Sequence, residues 1–164
     1  MTIQKQDTKQ KDTKTVENDK KVAYYQAVGR RKEASARVRL YVVADKDVTV
    51  SGKALKKGDI VVNGRSIDEY FTGEMPKKLY LEPLRTTNSI GRFAISALIV
   101  GGGLRGQLDA FIHGISRALE TIDVEKYRPI LKKQGFLTRD PRAKERRKAG
   151  LAQKARAKKQ SPKR

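Results

Sequence analysis

The sequence predicts a mixed α+β domain followed by a strongly basic C-terminal segment. Apolar and polar side chains alternate over residues 36–44, which is the spacing of a strand with one buried face. Apolar residues recur every three or four positions between residues 108 and 122, as in a helix that packs one face on a sheet. Residues 127–164 hold fifteen lysines and arginines but only two acids, a balance of +13 out of +20 for the whole chain.

This basic C-terminal segment is predicted to be ordered by a partner. Beyond Phe136 and Leu137 its one large apolar side chain is Leu151, so it cannot bury enough surface to offset the entropy of ordering itself. Nucleic acid is the polyanion that suits such a segment, because each phosphate that a lysine or arginine neutralises releases condensed counterions.

The composition excludes several classes of protein. The absence of cysteine rules out a disulfide framework and cysteine metal sites, and it agrees with a reducing compartment. No run reaches the roughly 20 apolar residues of a membrane span, and the first residues lack the apolar middle of a secretory signal. We therefore expect a disordered N-terminal extension at residues 1–22, a globular nucleic-acid-binding domain at 23–126, and a helix-to-basic-tail extension at 127–164.

The domain is predicted to begin with two strands joined by a basic turn. Residues 24–28 favour a strand, and Gly29 then permits a turn that carries three consecutive cations. The next strand has Arg37, Arg39 and Tyr41 on its second face, which either is a solvated sheet surface or binds nucleic acid. The basic turn beside it favours the second interpretation. The predicted buried face consists of Ala36, Val38, Leu40, Val42 and Ala44.

Residues 48–50 and 60–62 are predicted to form a hairpin-like excursion, and Asn63-Gly64 supplies a turn after it. Ser66 is a candidate cap for a short helix over residues 67–71. Two prolines interrupt residues 73–83, and the pattern assigns no element to that segment.

The second half of the domain is predicted to contain a central strand and its covering helix. Residues 90–100 are apolar on both faces, which is typical of a strand with neighbours on each side. A glycine-rich loop at residues 101–107 leads into the amphipathic helix. The apolar stripe of that helix consists of Leu108, Phe111, Ile112, Ile115, Leu119 and Ile122.

Two more helices are predicted toward the C-terminus. One follows Asp123, contains Pro129 and stops near Gly135. The other is a short basic helix, framed by Asp140 as its cap, Pro141 at its first position and Gly150 as its stop.

The sequence makes no case for catalysis. The glycine loop lacks the lysine followed by serine or threonine that closes a P-loop, so a tight turn near packed RNA, with Arg105 in it, is favoured over a small-molecule phosphate site. His113 is the single histidine and is predicted to be structural. Asp109 and Glu120 are about three helical turns apart, too far for a carboxylate pair. We expect no cofactor and no metal.

Three separated motifs resemble one family. Residues 28–32 (VGRRK), 101–119 (GGGLRGQLDAFIHGISRAL) and 135–140 (GFLTRD) occur in the order found in the ninth protein of the small ribosomal subunit, bacterial type. The resemblance covers roughly residues 23–164.

The resemblance implies a fold and a role. The implied fold is a four-stranded sheet with helices on one face and a left-handed βαβ crossover, the rare exception to the right-handed rule. The implied role is that of a structural, non-enzymatic constituent of the cytoplasmic small subunit. The family binds 16S-type ribosomal RNA in the subunit head beside neighbouring ribosomal proteins, and its tail reaches the anticodon stem-loop of peptidyl-site tRNA. Neither a membrane nor a cofactor is implied.

The resemblance also assigns residues. Because the family ends Phe-Ser-Lys-Arg, its tRNA contacts correspond to Lys163 and Arg164 here, although this chain ends Ser-Pro-Lys-Arg and residues 44–59 are longer than usual. Arginine suits such contacts since its planar fork grips phosphate oxygens. The implied ribosomal RNA contacts are Arg30, Arg31, Lys32, Arg37, Arg39, Arg105, Arg117, Arg139, Arg142, Lys144, Arg146, Arg147 and Lys148.

Two other classes of protein have related topology. The protein subunit of ribonuclease P is also basic, but its basic motif is expected on a helix and not in a long C-terminal tail. A small kinase would use the loop at residues 101–106 for ATP, and ATP would then stabilise it against heat.

Overall fold

The computed structural model describes residues 23–42, 48–50 and 53–157. Its strands are β1 (Tyr24–Arg31), β2 (Ala34–Val42), β3 (Val48–Val50), β4 (Lys53–Leu55), β5 (Ile60–Val62), β6 (Arg65–Ser66) and β7 (Phe93–Val100). Its helices are α1 (Ile67–Tyr70), α2 (Glu74–Thr86), α3 (Leu104–Ile122) and α4 (Val124–Lys133). This is the mixed α+β class that the sequence predicts.

The main sheet has the strand order β1-β2-β7-β5-β6. Neighbouring strands run antiparallel except β5 and β7, which are parallel. Strand β7 lies between β2 and β5, as its apolar character predicts. The chain crosses from β5 to the parallel β7 through β6, α1 and α2. The left-handed sense of this crossover stays a prediction.

The sheet has five strands where the family resemblance implies four. The additional strand is the two-residue β6, which pairs with Val61 and Val62. It forms because Asn63 and Gly64 both adopt positive φ, 49° and 77°, and turn the chain straight back.

The predicted hairpin of residues 48–50 with 60–62 is wrong. Strand β3 pairs with β4 in a separate two-stranded sheet, in the register Val48 to Leu55. Strand β5 instead extends the main sheet, with Ile60 beside Ile95. The lysine-rich composition around residue 53 concealed β4, since only Leu55 is a large apolar residue there.

One apolar core lies between the sheet and the four helices. It includes Ala34, Ala36, Val38 and Leu40 of β2, alternate residues of β7, and the buried faces of all four helices. The predicted boundary at residue 126 falls inside α4, whose Tyr127 and Leu131 are 2% and 0% exposed in this same core. The folded unit therefore includes α4.

The opposite sheet face is partly covered by the β3–β4 hairpin. Leu55 packs there with Tyr41 and Ala94, so Tyr41 is buried although it belongs to the face predicted to be exposed. Val42 was predicted to be buried, but at the end of β2 it is 57% exposed. Ala44 lies outside the described residues.

Gly29 does not form the predicted turn. Strand β1 continues through it to Arg31, and the turn follows at Lys32 and Glu33, where Lys32 has a φ of 51°. A Cβ atom at Gly29 would lie 1.9 Å from the carbonyl oxygen of Ala110. The glycine is needed because β1 and α3 touch through their backbones.

The helices agree with the sequence in part. Asp123 caps helix α4, since its Oδ1 accepts a hydrogen bond of 3.0 Å from the Lys126 N–H, and Gly135 follows the helix with a φ of 78°. The segment that the sequence left unassigned forms α2. The short basic helix predicted after Asp140 is wrong, because residues 141–148 form neither helix nor strand.

Candidate nucleic-acid interface

The predicted RNA-binding cations lie in four places on the described part of the chain. Two are on the open sheet face, three line a groove along β1, and several surround a charged cluster at the end of β1. The fourth group is the exposed stretch at residues 144–148. The predicted tRNA contacts, Lys163 and Arg164, lie outside the described residues, as do residues 1–22.

Arg37 and Arg39 lie on the open face of the sheet, because they alternate along β2 with the core residues Ala36, Val38 and Leu40. The strand register sets Arg37 between Val28 and Leu98, and Arg39 between Gln26 and Ser96. Arg39 donates a hydrogen bond of 3.0 Å from Nε to Oε1 of Gln26, and its guanidinium lies 4.8 Å from the ring centroid of Tyr24. An exposed tyrosine with an arginine over its ring suits a nucleobase or a sugar-phosphate backbone.

This face contains a groove of about 410 Å³. It is lined by Arg37, Arg39, Asn63, Gly64, Ser96, Ala97 and Leu98. The Asn63 side chain is fully used, because its amide nitrogen donates to the Ile99 carbonyl and its oxygen accepts from the Ile99 N–H, each at 2.9 Å. The cations are therefore the groove's available charged groups.

The β1 groove, as we name the second site, forms where α3 side chains occupy the outer edge of β1. His113 Nδ1 accepts a hydrogen bond of 3.3 Å from the Arg30 N–H, and Arg117 donates one of 2.6 Å to the Val28 carbonyl. Both backbone groups face outward from the sheet, where a further strand would otherwise pair. The two side chains thus occupy the free edge of the sheet at residues 28 and 30.

The β1 groove has a volume of about 430 Å³. Its lining consists of Val28, Arg30, His113, Arg117, Leu137 and Arg139, so it carries three arginines and no acid. Burial lowers the pKa of His113, and the nearby Arg117 and Arg139 lower it further. This shift favours the uncharged ring, whose Nδ1 can accept the hydrogen bond from the Arg30 N–H.

The tail clasp, as we name the third site, consists of Arg31, Asp109, Asp140 and Arg142. The Arg31 guanidinium lies 3.0 Å from Oδ2 of Asp140 and 3.7 Å from Oδ2 of Asp109, and it donates a hydrogen bond of 2.6 Å to the Arg142 carbonyl. The Arg31 side chain is only 14% exposed. Its guanidinium is used inside the protein, so any effect of Arg31 on RNA acts through these partners.

Asp140 was predicted to cap a helix, but its carboxylate serves the tail clasp. It accepts a hydrogen bond of 2.9 Å from the Arg142 N–H and further ones from the Arg142 guanidinium, at 2.8 Å from Nη2 and 3.0 Å from Nε. These bonds to Arg142 hold the pKa of Asp140 well below its usual range. A helix cap also accepts from the N–H two positions ahead, but residues 141–148 do not continue as a helix.

The glycine loop at residues 101–103 packs against the backbone of Glu33 and Ala34 at the start of β2. Gly101 and Gly102 have φ of 75° and 63°, and a Cβ atom at Gly101 would lie 2.4 Å from the Glu33 carbonyl oxygen. The adjacent cavity of about 650 Å³ is lined by Glu33, Asp109 and Asp140 as well as by cations that include Lys32 and Arg105. Three of the four cations in this lining, Arg31, Arg105 and Arg142, are already paired with Asp109 or Asp140. Little unpaired positive charge is left for a polyphosphate, so this loop gives the kinase alternative no support.

Several groups at these sites were missed at the level of sequence. Gln26, Asp109 and Asp140 are polar partners of predicted cations, but Arg31 and Asp140 are more than one hundred residues apart and no local pattern links them. One of these pairs could have been found from the sequence. Arg105 and Asp109 have the i,i+4 spacing of a helical ion pair, and their charged atoms lie 3.6 Å apart.

Two absences hold for the part of the chain that the structure describes. None of its helices has the length and apolarity needed to cross a bilayer. Within the same residues, no group of three or more histidines and acids is placed to hold a metal ion.

Two comparisons with known proteins, one with family models and one with curated sequences, agree with each other. A family model described as "Ribosomal protein S9/S16" matches residues 29–164. Two curated relatives named "Small ribosomal subunit protein uS9", from Anaeromyxobacter sp. (strain K) and Anaeromyxobacter dehalogenans (strain 2CP-1), are each 50% identical over 123 residues. The aligned region covers 75% of this chain and 84% of each relative.

Proposed function

Since the chain belongs to the ribosomal protein S9/S16 family, we propose that its arginine-lined surfaces bind the ribosomal RNA of the small subunit. A member of this family is a structural, non-enzymatic part of the ribosome. The finer proposal is that this chain folds onto 16S-type RNA in the subunit head of cytoplasmic ribosomes, beside other head proteins, and extends its basic segment to peptidyl-site tRNA.

The observation that carries the RNA proposal is the acid-free β1 groove. Arg30, Arg117 and Arg139 line it, and His113 is the other ionisable residue of the lining. Three guanidinium groups without a carboxylate partner in the lining repel one another in the free protein. A phosphate backbone laid along the groove relieves that repulsion and accepts bidentate hydrogen bonds.

Two further surfaces extend this footprint. On the open sheet face, Arg37 and Arg39 flank a groove beside the exposed ring of Tyr24. In the basic C-terminal segment, Lys144, Arg146, Arg147 and Lys148 are exposed, so they are available to successive phosphates. Such contacts position the protein on RNA and are largely blind to base sequence.

The cations near the glycine loop are weaker candidates. Lys32 is exposed at the β1–β2 turn, and Arg105 is 75% exposed although it lies near Asp109. Arg31 and Arg142 are bound to Asp140 in the tail clasp. We therefore expect Lys32 and Arg105 to make peripheral contacts, and Arg31 and Arg142 to act on RNA binding indirectly.

The tRNA proposal rests on charge and on family membership. The closing Lys163-Arg164 pair ends a segment with a balance of +13. A dense cationic chain without an apolar core is well suited to follow an RNA backbone outward from the domain.

A charge-matched comparison tests the RNA proposal. The Arg30→Gln/Arg139→Gln variant removes two charges from the β1 groove and leaves Arg117 bound to Val28. The control, Lys56→Gln/Lys78→Gln, removes two charges from exposed lysines outside every predicted surface. We expect the groove variant alone to lower the salt dependence of binding to a small-subunit RNA transcript, by about one to two in the log–log slope.

The measurement is the dissociation constant of the full chain on that transcript across a range of salt concentrations. Thermal unfolding of each variant verifies that the domain remains folded. An equal loss of affinity in both variants would mean that RNA senses only total charge, and the groove would then lose its assignment.

A further inference from the structure

We propose that the tail clasp fixes the direction in which the basic C-terminal segment leaves the domain before any RNA is bound. The inference rests on the proposed function for its purpose, which is to aim a cationic segment at RNA. Its structural content, an exit fixed by Arg31, Asp109, Asp140 and Arg142, can be tested on the free protein.

Arg31 is the centre of the tail clasp. It is the last residue of β1, and its guanidinium contacts a carboxylate of α3 and both a carboxylate and a backbone carbonyl of the departing segment. One side chain thus joins a sheet strand, the main core helix and residues 140–142. Exposed ion pairs contribute little to stability, but this side chain is 14% exposed, donates one hydrogen bond and lies within ion-pair distance of two carboxylates.

Asp140 sets the local course of the segment. Its carboxylate accepts hydrogen bonds from both the N–H and the guanidinium of Arg142, which restricts the backbone of residues 140–142. Its second attachment, to Arg31 at 3.0 Å, joins these residues to the domain. An aspartate at this position also lowers the positive charge of the segment and so weakens its attraction to RNA. The presence of this acid in a basic segment is therefore explained by a structural role and not by RNA binding.

A second set of contacts holds the preceding residues. Phe136 and Leu137 pack against the main core, and Leu137 also lines the β1 groove together with His113. Residues 136–142 are therefore attached at several points along their length. Ordering only the residues beyond them reduces the entropy lost on RNA binding, about tenfold in affinity for each residue already fixed.

The tail offers a matched pair of substitutions. Asp140→Asn and Glu145→Gln each convert one acid of the same segment into its amide and raise the net charge by one. Glu145 pairs with Arg156, downstream of the clasp. If charge alone mattered, both variants would bind RNA more tightly and to the same extent.

The first test measures distance distributions by pulsed electron spin resonance on the free, full-length chain. Because the sequence has no cysteine, nitroxide labels can be placed at Glu125→Cys on α4 and Lys144→Cys beyond the clasp, both exposed positions. We expect a narrow distribution in the parent and in Glu145→Gln, and a broad one in Asp140→Asn and in Arg31→Lys. Narrow distributions in all four proteins would overturn the proposal.

The second test measures affinity for the small-subunit RNA transcript. We expect Asp140→Asn to bind about tenfold more weakly than Glu145→Gln, the cost of ordering roughly one more residue. Equal affinity of these two variants would show that the clasp does not aid RNA binding. If none of the proteins, the parent included, bound RNA, the proposed function would fail while the distance measurement still decided whether the exit is fixed.

Discussion

Gly29, Gly114 and His113 determine how closely β1 and α3 approach. A Cβ atom at Gly114 would lie 2.7 Å from Cγ2 of Val38, and one at Gly29 would lie 2.3 Å from the Gly114 nitrogen. With both side chains absent, the helix comes near enough for His113 and Arg117 to bond the edge of β1. The β1 groove therefore depends on two positions that carry no side chain.

His113 gives a pH dependence that can be assigned to one group, since it is the only histidine. Its folded-state pKa is lowered, first by burial, so the unfolded chain binds the proton more readily. We expect the free energy of unfolding to be constant above the usual pKa of about 6.5 and to fall as pH drops through that value toward the lowered folded-state pKa.

Urea unfolding between pH 7.5 and 5.5 measures this effect, and the His113→Gln variant serves as the control. The variant cannot take up the proton, so its stability should change much less across the same range. A parent and a variant with the same pH profile would show that the histidine pKa is not lowered by folding.

At the scale of elements, the parallel pairing of β5 with β7 depends on an asparagine that follows β5. The Asn63 side chain exchanges two hydrogen bonds of 2.9 Å with the backbone of Ile99, and so continues the ladder after the chain has turned away. Asn63 also adopts a φ of 49°, a left-handed conformation that asparagine tolerates better than most residues.

We expect Asn63→Ala to lower the free energy of unfolding by about 2 to 3 kcal/mol, because it leaves two backbone groups of Ile99 unpaired in addition to straining the turn. Asn88→Ala is the control, since Asn88 has the same φ of 49° and is exposed. Chemical denaturation of both variants isolates the contribution of the side chain. Equal losses would assign the whole effect to backbone strain.

At the scale of the whole molecule, the chain separates a packed domain from a segment dominated by charge. The core is built on one sheet face by all four helices, whereas residues 141–150 are exposed throughout. The tail clasp lies at the junction. This arrangement assigns folding to the domain and leaves the exposed residues 141–150 available for the RNA contacts that we propose.

Deletion of Lys163 and Arg164 should leave the domain folded and assembled into small subunits. Affinity for peptidyl-site tRNA should fall about tenfold, because that is the typical effect on binding of losing one charge-assisted hydrogen bond. Filter binding of tRNA to purified subunits measures it. The control is Lys158→Gln/Lys159→Gln, which loses the same charge upstream; loss of assembly in the deletion would contradict the separation of roles.

The elements with strong periodicity were predictable from sequence. The amphipathic helix from residue 108 and the central strand up to residue 100 appear where the pattern indicates, because burial of one face or of both leaves a regular spacing of apolar residues. The three motifs that resemble the family were sufficient to identify it, and the family model and the curated relatives confirm that identification.

Tertiary contacts decided the rest. Gly29 belongs to a strand and not to a turn because α3 approaches it, and β4 escaped notice because its single large apolar residue, Leu55, meets partners far along the chain. Asp140 was mistaken for a helix cap because the neighbouring sequence does not show its contact with Arg31, which is more than one hundred residues away along the chain and 3.0 Å away in the fold.

By itself, then, the sequence determined the fold class, the family and the charge that calls for an RNA partner, since each is encoded in residue type and local spacing. Only the tertiary structure decided which cations are available. It pairs Arg31 and Arg142 with Asp140 and gathers Arg30, Arg117 and Arg139 in a groove whose lining holds no acid. The physical reason is that a side-chain charge is neutralised by the opposite charge that lies nearest to it in the folded protein. The number of residues between two charges does not give the distance between them in the fold.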